Sequence, residues 1–145
     1  MHLHPYVAVV DDDKAMCRAL VRLLRSSDFE VAAFHLGRDA LEAVDRREPD
    51  CFVIDIELPD STGLELFRGI HRALPRVPVI VITAWEDDDL RAKAMASGAA
   101  GFFYKPFSDD VFLHTVHASI AQHREASFRP ILPPSRKGSG ESRAG

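Results

Sequence analysis

The chain has 145 residues, 46% of them hydrophobic and 28% charged, with a formal net charge of −4. This is the size and composition of one soluble domain with a real core, and the longest apolar runs are too short to cross a bilayer. The charge is uneven: residues 127–145 carry Arg129, Arg136, Lys137 and Arg143 against Glu141, leaving +3 there and −7 on residues 1–126, so the body repels nucleic-acid phosphate.

The N-terminal stretch MHLHPYVAVV runs into acid without a basic start, a long apolar stretch or a small-residue cleavage site, so no secretion signal is expected. His2 and His4 fall in a terminus expected to fray. Residues 6–10 read as the first strand. Residues 14–27 follow with Met16, Leu20, Leu23 and Leu24 at helical spacing, and Asp13 stands where a helix N-cap belongs. Residues 31–34 make a short second strand, and Ala40, Leu41 and Val44 mark the next helix. Residues 52–54 form the third strand. Thr62 and Glu65 then have the spacing of a capping box, opening a helix whose expected face is Leu64, Phe67, Ile70 and Leu74.

Residues 77–82 predict strand four. A weaker helix over 87–97 ends at Gly98, a natural C-cap, and begins in Glu86-Asp87-Asp88-Asp89, where the helix dipole favours acid. Residues 101–104 give strand five. Phe112, Val116 and Ile120 stripe a last helix that Ser108 is placed to cap, with Asp109 and Asp110 in its first turn. The Pro-, Gly- and Ser-rich residues 127–145 are expected to be a disordered basic tail or linker after a domain over 1–126. Cys17 lies in a helical pattern and Cys51 opens a strand. Without CxxC spacing they read as buried thiols of a reducing compartment, with the cytoplasm as the default.

Five βα units of this length imply a parallel sheet covered on both faces, and right-handed crossovers make a doubly wound α/β layer the natural solution. Ligands of such sheets bind outside the carboxyl ends of the strands. Strand one ends in Asp11-Asp12-Asp13, strand three in Asp55, strand four in Thr83 and strand five in Lys105-Pro106; strand two ends in Phe34-His35 and offers less. Converging carboxylates repel and raise one another's pKa, a conflict that a hard divalent cation removes, and Mg²⁺ suits carboxylate and carbonyl oxygens best. With the cation in place Asp55 is a nucleophile for phosphorus, Lys105 a point charge for phosphoryl oxygens, and Thr83 a hydrogen-bond donor to one of them.

VAVVDDDKAM, VIDIELPDSTG, VIVITAW and GFFYKPF, in this order, resemble the receiver (response-regulator) domain of bacterial two-component signalling over residues 6–123. The resemblance implies a flavodoxin-like five-stranded sheet of order 2-1-3-4-5 and phosphoryl acceptance by Asp55 from the phosphohistidine of a histidine kinase or phosphotransfer protein. It implies Mg²⁺ ligation by Asp12 directly, by Asp11 mainly through water, by Asp55, and by the Glu57 backbone carbonyl. Thr83 and Phe102 would be the switch pair, the ring turning inward as the hydroxyl moves, and Lys105–Pro106 would be cis. Residues 87–123 would then change shape to meet a downstream protein, an output domain outside this chain, or a second copy. Such a domain turns over only its own acyl phosphate and is not an enzyme in the usual sense. It would bind neither nucleic acid nor membrane.

Several positions depart from the commonest pattern of that family. Phe102 stands where tyrosine is frequent, while Trp85 and Glu57 flank the route of an attacking water, with the small Ala84 between Thr83 and Trp85. His114 and His117 have helical metal-ligand spacing but no obvious third ligand, and read as surface histidines. Three rival readings have weaker support. A dehalogenase-type aspartyl-phosphate hydrolase needs a DxD nucleophile motif, whereas Asp55-Ile56-Glu57 is not one. A flavodoxin-like mononucleotide binder needs a Gly/Ser/Thr-rich loop after strand one. A receiver-like module acting without phosphorylation has no use for the full set of chemical groups.

Overall fold

A computed structural model of the chain describes residues 4–58 and 62–128, the last four by backbone only. Strands β1 (Tyr6–Val10), β2 (Glu30–Phe34), β3 (Cys51–Asp55), β4 (Val79–Thr83) and β5 (Gly101–Tyr104) alternate with helices α1 (Lys14–Ser26), α2 (Gly37–Val44), α3 (Gly63–Ala73), α4 (Asp88–Ala96) and α5 (Asp109–Phe128). The strands form one parallel sheet in the order β2-β1-β3-β4-β5, the order the resemblance implied.

β1, β3 and β4 are buried along their whole lengths, whereas β2, at the edge, is mostly not. That is the sequence difference between VAVV, FVI or VIVI and EVAAF, expressed as burial on two faces or one. Strand alternation sends Val7, Val9, Val53, Ile80 and Ile82 towards α1 and α5, where Cys17, Leu20, Leu24, Phe112, Val116 and Ile120 meet them. It sends Ala8, Val10, Phe52, Ile54 and Val81 towards α2, α3 and α4. The fully buried Phe67 and Phe112 anchor the two layers, each worth roughly 1.5–3 kcal/mol of apolar transfer.

Some boundaries differ from the sequence pattern for local reasons. β4 begins at Val79 rather than 77, because the Val77 amide is used in a turn to the Leu74 carbonyl at 3.1 Å and Pro78 has no N–H to give. On α3 the buried set is Leu66, Phe67 and Ile70, with Leu64 and Leu74 only partly buried. The helix starts with Gly63 pressed against the end of β3, which turns Leu66 inward. Leu41 of α2 is 42% exposed, and Ala40 takes the core position. α4 buries only Ala94, so it is held by few apolar contacts and ends at Gly98 with φ of +104°. α5 runs through Phe128, two residues past the expected domain end at 126; residues 129–145, like His2, lie outside the described residues. No helix among the described residues is long and apolar enough to cross a membrane.

Candidate functional site

The carboxyl edge of the sheet collects the polar strand ends. Asp11 follows β1 and is fully buried; Asp55 closes β3 at 6% exposure; Thr83 closes β4 with no exposure; Lys105 follows β5. By alternation Asp11, Asp55 and Lys105 lie on the α1–α5 side, while Thr83 shares the other side with Val81 and Phe102.

Lys105 joins the two buried acids, its Nζ donating to Asp11 Oδ2 at 2.9 Å and to Asp55 Oδ2 at 3.2 Å. The other Asp11 oxygen accepts from the Asp13 amide at 2.9 Å, and Asp55 Oδ1 accepts from the Glu57 amide at 3.0 Å. Asp12 is exposed, yet one oxygen each from Asp11, Asp12 and Asp55 lie within 4.8 Å of one another. Among the described residues this is the one cluster of three such side chains. Asp13 does what its position predicts and caps α1, accepting from the Ala15 amide at 2.9 Å and the Met16 amide at 3.2 Å.

The electrostatics follow from burial. Loss of water raises the Asp11 pKa above the ordinary carboxylate range, and the bonds from Lys105 and Asp13 only partly oppose this. Burial alone would lower the Lys105 pKa, but the hydrogen bond to Asp11 and the charges of both aspartates outweigh it and hold the ammonium above its usual range. Three carboxylates and one ammonium leave a net of two negative charges in a site lined by hard oxygen donors. That residual charge and donor chemistry fit a small divalent cation rather than a soft transition metal.

Thr83 Oγ1 accepts from the Trp85 amide at 3.1 Å, which leaves its hydroxyl hydrogen free to donate. Trp85 is 65% exposed. Phe102 is already inside the core at 8% exposure, packed 5.5 Å from Tyr104 in an edge-on arrangement. The Tyr104 hydroxyl in turn donates to Asp88 of α4 at 3.2 Å, so β5 has a hydroxyl link to α4 two residues beyond the expected switch ring. Lys105–Pro106 is cis. Asp87 caps α4 through the Leu90 amide at 3.0 Å, and Ser108 accepts from the Val111 amide at 3.3 Å at the start of α5. His117 is exposed and packs on Phe29 with ring centroids 4.7 Å apart.

Sequence reasoning passed over three residues. Gly63 leaves no room for a side chain: a Cβ would stand 2.2 Å from Ile56 Cα and 2.5 Å from the Asp55 carbonyl oxygen. His35 and Cys17 both reach the Asp11 carbonyl, through Nδ1 and Sγ respectively, each at 3.0 Å. The glycine was visible in the sequence as the end of DSTG, but nothing local tells that it abuts a strand. The Cys17 and His35 contacts depend on the β1–β2 register and on how α1 packs.

A family model described as the response regulator receiver domain matches residues 7–117. Nodulation protein W of Bradyrhizobium diazoefficiens is 36% identical over 119 residues, covering 82% of this chain and 52% of that protein. The DNA-binding transcriptional regulator NtrC of Proteus hauseri is 35% identical over 119 residues, covering 82% of this chain but 25% of NtrC. The chain therefore spans about half or less of these relatives. The solution structure of the beryllofluoride-activated NtrC4 receiver domain dimer superposes with a TM-score of 0.78 at 29% identity, over 81% of this chain and 98% of that one.

Proposed function

The chain belongs to the response-regulator receiver family, and from that premise we propose that Asp55 accepts a phosphoryl group from the phosphohistidine of a histidine kinase or phosphotransfer protein, in a Mg²⁺-dependent reaction. One observation carries the reading: strand ends far apart in sequence bring Asp11, Asp12, Asp55 and Lys105 to a single edge. Family membership also goes against the hydrolase and mononucleotide-binder alternatives.

Asp11, Asp12, Asp55 and the Glu57 carbonyl would hold the cation, which would supply Lewis-acid screening of the Asp55 charge from incoming phosphoryl oxygens. An Asp55 carboxylate oxygen forms the new O–P bond while the P–N bond to the donor breaks. The P–N electron pair leaves with the imidazole, which departs neutral when its second nitrogen carries the proton. Lys105, already held between Asp11 and Asp55, neutralises the arriving charge. The Thr83 hydroxyl donates to a phosphoryl oxygen. Because its oxygen also accepts from the Trp85 amide, any movement of Thr83 is felt by the turn leading into α4.

α4 is the element best suited to respond, since Ala94 is its one buried residue and Tyr104–Asp88 ties it to β5. With Phe102 already inside, the response reads through Thr83, the turn and α4 more than through an inward swing of the ring. The face over 87–123 would then meet a downstream protein, an output domain outside this chain, or a second copy, the last supported by the dimer named for NtrC4. The domain acts in the cytoplasm and turns over no substrate beyond its own acyl phosphate. Borohydride reduction converts an aspartyl phosphate to homoserine, so peptide mapping after reaction with a small acyl phosphate should mark Asp55; an unmodified Asp55 in a phosphorylated chain refutes the assignment.

A further inference from the structure

We propose that His35 is a positioning residue of the acid pocket, acting with Cys17 to fix the peptide that joins Asp11 to Asp12. The proposal rests on the metal-dependent reading above. It gives a role to β2, the edge strand that brings no side chain to the pocket itself.

The Asp11 carbonyl belongs to the peptide unit from which two of the three clustered carboxylates branch. That carbonyl accepts from His35 Nδ1 at 3.0 Å and from the Cys17 thiol at 3.0 Å, while the Asp11 amide donates to the Phe34 carbonyl at 3.0 Å. Asp11 is fully buried, so in the intact fold these protein donors rather than water satisfy its carbonyl. A carbonyl only accepts, so His35 must carry a hydrogen on Nδ1, which sets its tautomer. Cys17 is 2% exposed, and its thiol donates to the same oxygen from α1. Two donors from different elements, 3.7 Å apart, hold one oxygen from two directions and so fix the tilt of the Asp11–Asp12 peptide. His35 itself is exposed, and removing its ring leaves no buried cavity.

The test compares the full chain with His35→Ala and His35→Asn, the second of which keeps an N–H donor near the Nδ1 position. Mg²⁺ titration followed by amide NMR should show His35→Ala binding about tenfold more weakly, the low end of what loss of an outer partner of a metal ligand costs, and His35→Asn close to the parent. Without metal, the Asp12 and Asp13 amide protons should exchange faster in His35→Ala alone. Unchanged affinity and exchange in His35→Ala overturn the proposal, as does equal weakening in both variants, which would make the donor irrelevant. A parent chain that ignores Mg²⁺ while His35→Ala still speeds exchange would leave the positioning intact and bring down the metal reading instead.

Discussion

Lys105 Nζ and Asp55 Oδ2 stand 3.2 Å apart, with the same ammonium 2.9 Å from the fully buried Asp11. One cation therefore serves two acids that otherwise face each other with little water between them.

Lys105→Met should for that reason destabilise the metal-free domain in a pH-dependent way. At pH 8 the loss should be on the order of 2–3 kcal/mol, somewhat under the usual cost of stranding a buried charge because Asp55 keeps some exposure. Burial already raises the Asp11 pKa, and a carboxylate whose folded-state pKa is raised weakens the fold above that pKa and ceases to do so once protonated. The penalty should shrink as the pH falls towards 5, and Mg²⁺ should recover much of it at pH 8. Denaturant midpoints at the two pH values check this, and an equal loss at both would contradict it.

Gly63 and Gly69, both on α3, should respond to alanine with opposite signs. At Gly63 the added Cβ meets Ile56 Cα at 2.2 Å, so α3 must back away from the strand that carries Asp55; a loss of about 2–3 kcal/mol is expected. At Gly69 nothing lies within 4 Å, and Gly69→Ala should stabilise the helix by up to about 1 kcal/mol. Urea unfolding of the two variants separates these outcomes.

The two thiols should be silent in the native chain. Cys17 is 2% exposed with its pKa pushed up to about 11, and fully buried Cys51 is raised further. Only thiolate reacts with a disulfide reagent, so at pH 8 labelling should wait for unfolding and then report two thiols. Rapid reaction of either in the folded chain would show that α1 or β3 is packed differently.

Thr83→Val keeps the shape of a fully buried side chain and removes the acceptor of the Trp85 amide. Phosphorylation should still occur, since Asp55 is untouched. Hydrogen exchange over the turn before α4 should rise, and emission from Trp85, the single tryptophan, should no longer change on phosphorylation. A normal emission change in this variant would mean that the signal reaches α4 without Thr83.

Much of this molecule was readable from the chain. Continuous apolar runs and amphipathic stripes set the βα alternation, and the Thr62–Glu65 capping box and Asp13 cap formed as their chemistry requires. The acid and lysine positions were legible because a parallel sheet sends every strand's carboxyl end to one edge. What escaped depended on register and packing. His35 gains meaning only when β2 pairs with β1 so that Val10 faces Phe34, and Gly63 only when α3 starts against β3. Leu66 replaced Leu64 in the core through the same contact, a rotation that helical periodicity does not resolve.

The most direct test of the central claim is the intact mass of the chain after exposure to a small acyl phosphate. With Mg²⁺ the mass should rise by one phosphoryl group. Chelation of the metal, or Asp55→Asn, should abolish the rise. A chain that never gains mass, or one that gains it equally without metal or without Asp55, would contradict the account.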